Sequence, residues 1–213
     1  VLKDSLNQTA GFLESKVPFK QKEVEKGINK IDQGIKLYPN RLDMRFGKIF
    51  VLGEISDWKN FTSEIQKTIK YSAKNENNWT WTNNGKYDGG EKEFLLDIQT
   101  YQLQLYNTGN DNLLENMREI ANTVLKFYPN HIESLSNLSI TYLLTGEYEK
   151  GIEPLLRAEK INPKDYIVLS NIAQGYKLKG DKNKAIEYYE KTVEFGDDKA
   201  KKFAKQQIIE LKK

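Results

Sequence analysis

The chain has 213 residues, 38% of them hydrophobic and 30% charged, with 33 basic against 30 acidic side chains and a formal net charge of +3. So even a balance, spread without a basic tract, lacks the electrostatic footprint of a nucleic-acid binder. The absence of cysteine excludes disulfides, thiolate catalysis and cysteine metal sites, and no apolar run approaches the roughly 20 residues that span a bilayer.

Helical periodicity runs along most of the chain, and breakers fall between the segments. Residues 3–16 carry Leu6, Ala10 and Leu13 on one face and are closed by Pro18. Residues 20–37 place Val24, Ile28, Ile31 and Ile35 three and four apart and end at Tyr38-Pro39-Asn40. A helix over 42–54 carries Leu42, Phe46, Ile49, Phe50 and Leu52; the next, over 57–73, carries Trp58, Phe61, Ile65 and Ile69, with Asp57 as its N-cap. Residues 92–107 and 111–127 follow, joined by the turn Asn107-Thr108-Gly109-Asn110. The pairs 132–144/147–160 and 166–178/181–195 come next, then a last helix over 198–212 with Ala200, Phe203, Ala204, Ile208 and Leu211 on one stripe. This predicts eleven helices and little else.

Residues 74–91, KNENNWTWTNNGKYDGGE, break the pattern. Trp79 and Trp81 alternate with threonines, Asn83-Asn84-Gly85 supplies a turn capable of positive φ, and Lys86-Tyr87-Asp88 returns, which is a hairpin signal in a helical chain. Alternation points both indoles to one face. Either the lobe docks on the helices and buries them, or it presents Trp79, Trp81 and Tyr87 to a ligand such as a glycan.

The two pairs after residue 130 are nearly the same sentence written twice. SLSNLSITYLLTGEYEKGIEPLLRAEKINP is followed by VLSNIAQGYKLKGDKNKAIEYYEKTVEFGD, and Gly180 stands 34 positions after Gly146. The second helix of a pair repeats a small–large–small stripe: Gly27/Ile31/Gly34, Gly151/Leu155/Ala158, Ala185/Tyr189/Thr192. Small residues admit the partner helix closely, and the large one fills the gap between pairs.

These residues resemble the tetratricopeptide repeat, W-x2-L-G-x2-Y…A-x3-F…P. Leu135, Leu138, Ser139, Tyr142, Gly151, Leu155 and Pro163 occupy those places in one copy, and Leu169, Ile172, Ala173, Tyr176, Ala185 and Tyr189 in the next. The match is strongest over 130–197, partial over 94–129 and weak over 42–73; residues 6–39 match only in their second helix. The resemblance implies one all-α domain over 1–213: a right-handed superhelical solenoid of antiparallel pairs at about 3–39, 42–73, 92–129, 132–163 and 166–197. A capping helix over 198–213 and the insertion at 74–91 complete it.

The chemistry of catalysis is sparse. His131 is the only histidine, and it falls in an inter-repeat turn without an acidic cluster. No nucleophile elbow, P-loop, dinucleotide fingerprint or zinc-protease motif is present. Asp88 and Glu91 are too few for a calcium loop. No enzyme activity, cofactor or metal is expected. The resemblance implies a scaffold that binds a protein or peptide in a groove lined by the first helix of each pair. Carried onto this sequence, the groove offers Gln99, Leu103 and Tyr106; then Ser136, Asn137, Ile140 and Leu144; then Ser170, Asn171, Gln174, Lys177 and Leu178. Asn137 and Asn171 either pair with a peptide backbone or bond within the stack. Ser136 and Ser170 stand where the chaperone-binding members place clamp lysines, which disfavours that subtype. The alternative is a glycan or small-molecule module built on the tryptophan insertion. Val1 in place of methionine points to an upstream signal, anchor or other segment removed, so the cytoplasm and the cell envelope both stay open.

Overall fold

The computed structural model describes residues 21–213, and the helix expected over 3–16 lies outside them. Among the described residues the protein is an all-α helical-repeat solenoid of ten α-helices. They are α1 (Gln21–Leu37), α2 (Leu42–Glu54), α3 (Trp58–Lys74), α4 (Gly90–Asn107), α5 (Leu114–Phe127), α6 (Ile132–Leu144), α7 (Tyr148–Ile161), α8 (Tyr166–Lys179), α9 (Lys182–Phe195) and α10 (Asp198–Leu211). Two short 3-10 turns, Thr82–Asn84 and Asp111–Leu113, lie between them. The chain divides into two compact units, with the boundary between Asn116 and Met117.

In the second unit the 34-residue spacing becomes a packing register. Leu135 and Leu169, Leu155 and Tyr189, and Ala158 and Thr192 are pairs of that spacing, and all six are fully buried. Gly151 and Ala185 are buried, and a Cβ on Gly151 would stand 2.6 Å from Cδ2 of Leu143. The tyrosines Tyr176 and Tyr188 stack at 5.7 Å, and the Tyr188 hydroxyl donates to Glu159 at 3.0 Å, tying α9 to α7. Gly146 and Gly180 turn the chain between helices at φ 77° and 87°, a left-handed conformation that glycine adopts without a Cβ penalty. Asp165, Asp181 and Asp197 cap α8, α9 and α10 through their carboxylates.

In the first unit α1 and α2 carry a core of Val24, Ile31, Met44 and Val51. Asp57 caps α3 by accepting from the Asn60 amide at 3.2 Å, as its place in the sequence predicts. Buried charge accompanies this core. The Lys48 ammonium lies 2.6 Å from Asp32 and 3.0 Å from Glu64, and Glu64 faces the buried Arg45 guanidinium at 4.0 Å. Burial alone would lower Lys48, but Asp32 and Glu64 outweigh it and hold its pKa above the ordinary lysine value. Arg45 also covers the Tyr71 ring at 4.5 Å and donates to the Pro39 carbonyl.

Candidate functional site

The insertion is stitched to the turn before α2. The Thr80 amide donates to the Asn40 carbonyl at 2.8 Å, and the Thr80 carbonyl accepts from the Leu42 amide at 3.0 Å. On its other side Tyr87 N donates to Trp79 O at 3.0 Å and Trp81 N to Gly85 O at 2.7 Å, which closes the expected hairpin as isolated bridges instead of paired strands. Asn83 and Asn84 take the positive φ of the turn, at 61° and 58°, while Gly85 stays at −62°.

The two indoles differ in burial: Trp79 is 1% exposed and Trp81 is 38% exposed. Both pack on one aromatic pair, Trp81 on Phe46 and Trp79 on Phe94, which stack on each other at 6.3 Å. Trp79 enters the core, where its Nε1–H donates to the Ser72 hydroxyl at 2.8 Å and its ring packs on Tyr71 and Phe94. Ser72 donates in turn to Asn77, whose amide donates to Glu91. Docking therefore describes Trp79, and only Trp81 and Tyr87 remain at the surface of the lobe.

Trp81 stands over a cleft of about 300 Å³ lined by Asp43, Phe46, Gly47 and Phe50 of α2 and by Asp97 and Tyr101 of α4. Spacings of three and four put the α2 residues on one stripe, and Asp97 and Tyr101 are one turn apart. Aromatic edges define the walls: Phe46 meets Trp81 at 6.4 Å and Tyr101 at 5.5 Å, and Trp81 stacks on Tyr87 at 5.6 Å. Gly47 leaves open space where a side chain would stand. Among the described residues no lysine or arginine lines the cleft.

Its two carboxylates differ. Asp43 is held by Arg41, which donates Nε–H and an Nη2–H to the two oxygens at 2.7 and 2.5 Å. Among the described residues Asp97 accepts from the Tyr87 hydroxyl, at 3.3 Å, and no cation lines the cleft beside it. Burial lifts Asp97 above the ordinary carboxylate value, the Tyr87 hydrogen bond opposes this, and the nearby Glu93 adds to it. Burial pushes the Tyr87 phenol up to about 12, assisted by Asp97. Gly89 permits the arrangement, because a Cβ there would stand 2.6 Å from the Tyr87 hydroxyl.

The groove positions expected from the sequence have several fates. On α4, Gln99 and Leu103 are half-buried and Tyr106 is exposed. On α6, Ser136 and Ile140 are half-buried and Leu144 is 54% exposed, but Asn137 is buried at 4% and keeps its amide from solvent. On α8, Ser170 and Asn171 are half-buried and Leu178 is 43% exposed. Gln174 accepts from the Tyr189 hydroxyl at 2.9 Å, and Lys177 donates to Gln207 of α10 at 2.6 Å with Glu210 at 3.8 Å. These two bond within the stack because the capping helix and its neighbour reach them.

The α2 stripe is a set of positions that the weak repeat match over 42–73 concealed. A signal for it stands in the sequence: Tyr38-Pro39-Asn40 precedes α2 as Tyr128-Pro129-Asn130 precedes α6. Arg41 N donates to Tyr38 O at 3.0 Å, and His131 N to Tyr128 O at 3.1 Å, in the same turn. Counted from those turns, Phe46, Gly47 and Phe50 occupy the places of Ser136, Asn137 and Ile140.

Among the described residues no group of three or more histidines or acids could hold a metal ion, and no helix is long and apolar enough to cross a membrane. Residues 167–195 match the family model described as tetratricopeptide repeat. Over 82 residues, 38% of this chain, the sequence is 35% identical to the BBSome complex member BBS4 of Bos taurus, a stretch that spans 15% of that protein. Solved structures share the fold, YrrB and TTC0263 among them. YrrB, a TPR protein with an unusual peptide-binding site, superposes with a TM-score of 0.53 at 13% identity, covering 96% of this chain and 90% of that one. TTC0263, a thermophilic TPR protein of Thermus thermophilus, does so at 0.53 and 12% identity, covering 98% and 100%.

Proposed function

We propose that this chain, which belongs to the tetratricopeptide-repeat family, is a non-enzymatic scaffold that binds a protein or peptide on the faces of its first helices. The observation that carries the reading is a pair of large apolar side chains left in solvent at the same repeat position, Leu144 on α6 and Leu178 on α8. Scattered exposed leucines need no explanation, but exposure repeated at one register position supports a contact surface. Ser136, Ser170 and Asn171 lie half-buried on the same two helices and add polar groups to an apolar contact that Ile140 extends. Gln174 and Lys177 contribute through the stack, since their polar ends are already engaged.

The experiment is selection of a random peptide library on the full chain, followed by the Leu144→Asp/Leu178→Asp variant. Selected peptides should lose about tenfold or more in affinity on the variant, as for removal of an apolar anchor. Peptides that bind parent and variant equally, or a library that yields none, would sink this reading.

A further inference from the structure

The cleft beneath Trp81 combines features that point to one kind of ligand group. Its walls are the rings of Phe46, Phe50, Tyr101 and Trp81, its floor is open at Gly47, and among the described residues its lining carries carboxylates without a cation. Asp43 is already matched by Arg41, whereas Asp97 is half-buried with a neutral phenol as its hydrogen-bond partner. Taking a carboxylate out of water without a counter-ion is costly, and a cation arriving from outside offsets that cost. Aromatic faces beside the carboxylate add attraction for the same charge.

We propose that this cleft is a binding site for a basic side chain, an arginine or lysine of the partner segment, held between the Trp81 wall and the Asp97 carboxylate. The assignment rests on the scaffold reading for the source of that side chain, and it names the chemistry of one contact on the α2 face. Tyr87 is a positioning residue: its ring stacks on Trp81 while its hydroxyl holds Asp97, so one side chain fixes both halves of the site. Gly89 keeps that ring in place by leaving no Cβ against it. A planar guanidinium fits the arrangement well, because it accepts aromatic contact on its face and donates to a carboxylate at its edge.

The test uses the full chain and three capped tripeptides, Gly-Arg-Gly, Gly-Lys-Gly and the neutral isostere Gly-citrulline-Gly, followed through the Trp81 indole N–H resonance. At least one cationic peptide should shift that resonance saturably, and citrulline should bind about tenfold more weakly, the margin of a charge-assisted contact. Asp97→Asn should lower the cationic affinity by a similar factor and leave citrulline unchanged. Gly47→Leu, which fills the cleft without altering its charge, should abolish the shift. Equal binding of citrulline and arginine, an undiminished shift in both variants, or no shift with either cation would each overturn the assignment. Failure here can be told from failure of the scaffold reading. Library peptides that depend on Leu144 and Leu178 while the tripeptides leave Trp81 unmoved sink the cleft alone; a Trp81 response with no library binders sinks the scaffold alone.

Discussion

The indole of Trp79 donates to the hydroxyl of Ser72 at 2.8 Å, and that contact is where an insertion foreign to the repeat becomes part of the fold. Burying a tryptophan removes a large apolar area from water, but its N–H must find an acceptor. Ser72, on the inward side of α3, supplies one. Trp79→Ala should therefore cost about 3–5 kcal/mol, the range for truncating a buried aromatic. Trp81→Ala should cost under about 1 kcal/mol, because its ring is already partly solvated. Urea denaturation of the two variants separates them; equal losses would mean that the lobe is held by its backbone bridges alone.

Glu64 is the hub of the charge that α1, α2 and α3 share. It is buried at 4%, and it faces Lys48 at 3.0 Å and the buried Arg45 at 4.0 Å. Breaking a buried pair by deleting one partner leaves an uncompensated charge, so Glu64→Ala should lose about 3 kcal/mol or more in denaturant. Lys67→Ala removes a cation that is 62% exposed at 3.6 Å from the same carboxylate, and should change stability by less than about 0.5 kcal/mol. The Lys48 pKa is raised, so its contribution is complete below the ordinary lysine value and is lost as pH climbs through the raised one. Parent and Lys48→Met stability curves should accordingly converge at strongly alkaline pH. Curves that stay parallel there would remove Lys48 from the account.

How much was legible follows from what kind of signal each feature left. Periodicity and the 34-residue spacing predict the pairs from 132 to 195 because the same contacts recur, and a recurring contact imposes a recurring residue: Leu135 with Leu169, Leu155 with Tyr189. The helix boundary at Asp57 was readable because caps are local. The fate of Trp79 was not, since it depends on Ser72 and Phe94, neither of which marks itself as its neighbour in the sequence. Gln174 and Lys177 carry the right register but not the news that Tyr189 and Gln207 would reach them. The α2 stripe lay between these cases. Its Tyr-Pro-Asn turn was visible, but the small and aromatic residues that follow depart from the repeat pattern, and departure from a pattern reads as noise until the cleft beneath Trp81 gives it a shape.

Two glycines that look alike in the sequence act through different states. Gly180 turns at φ 87° with nothing within 4 Å of where a Cβ would stand, so Gly180→Ala should cost about 1 kcal/mol from backbone conformation alone. Gly151 sits inside α7, where a Cβ would meet Leu143 Cδ2 at 2.6 Å and the Leu143 amide nitrogen at 3.2 Å. Gly151→Ala should cost about 1–3 kcal/mol through overpacking. Leu143→Ala should restore part of that loss in the double variant, because it removes the clashing methyl. A double-mutant cycle that returns simple additivity would place the Gly151 effect in the backbone instead of the contact.

Asp97 makes stability depend on pH, and the sign follows from its surroundings. Its pKa is raised by burial, so the folded state holds the proton more tightly than the unfolded chain. Its contribution to stability is then greatest below the ordinary carboxylate value and falls as pH rises through the raised one. Asp97→Asn mimics the protonated form and keeps an acceptor for the Tyr87 hydroxyl. The variant should melt above the parent at pH 7 and match it near pH 4. Because the carboxylate is only half-buried and solvent screens it, the gain should stay within about 1 kcal/mol, or roughly 2–4 °C in a chain of this size. A variant that melts lower at pH 7 would mean that the ionised carboxylate stabilises the fold. A variant that melts higher yet no longer takes up an arginine tripeptide would identify Asp97 as a charge kept for its ligand at the expense of stability.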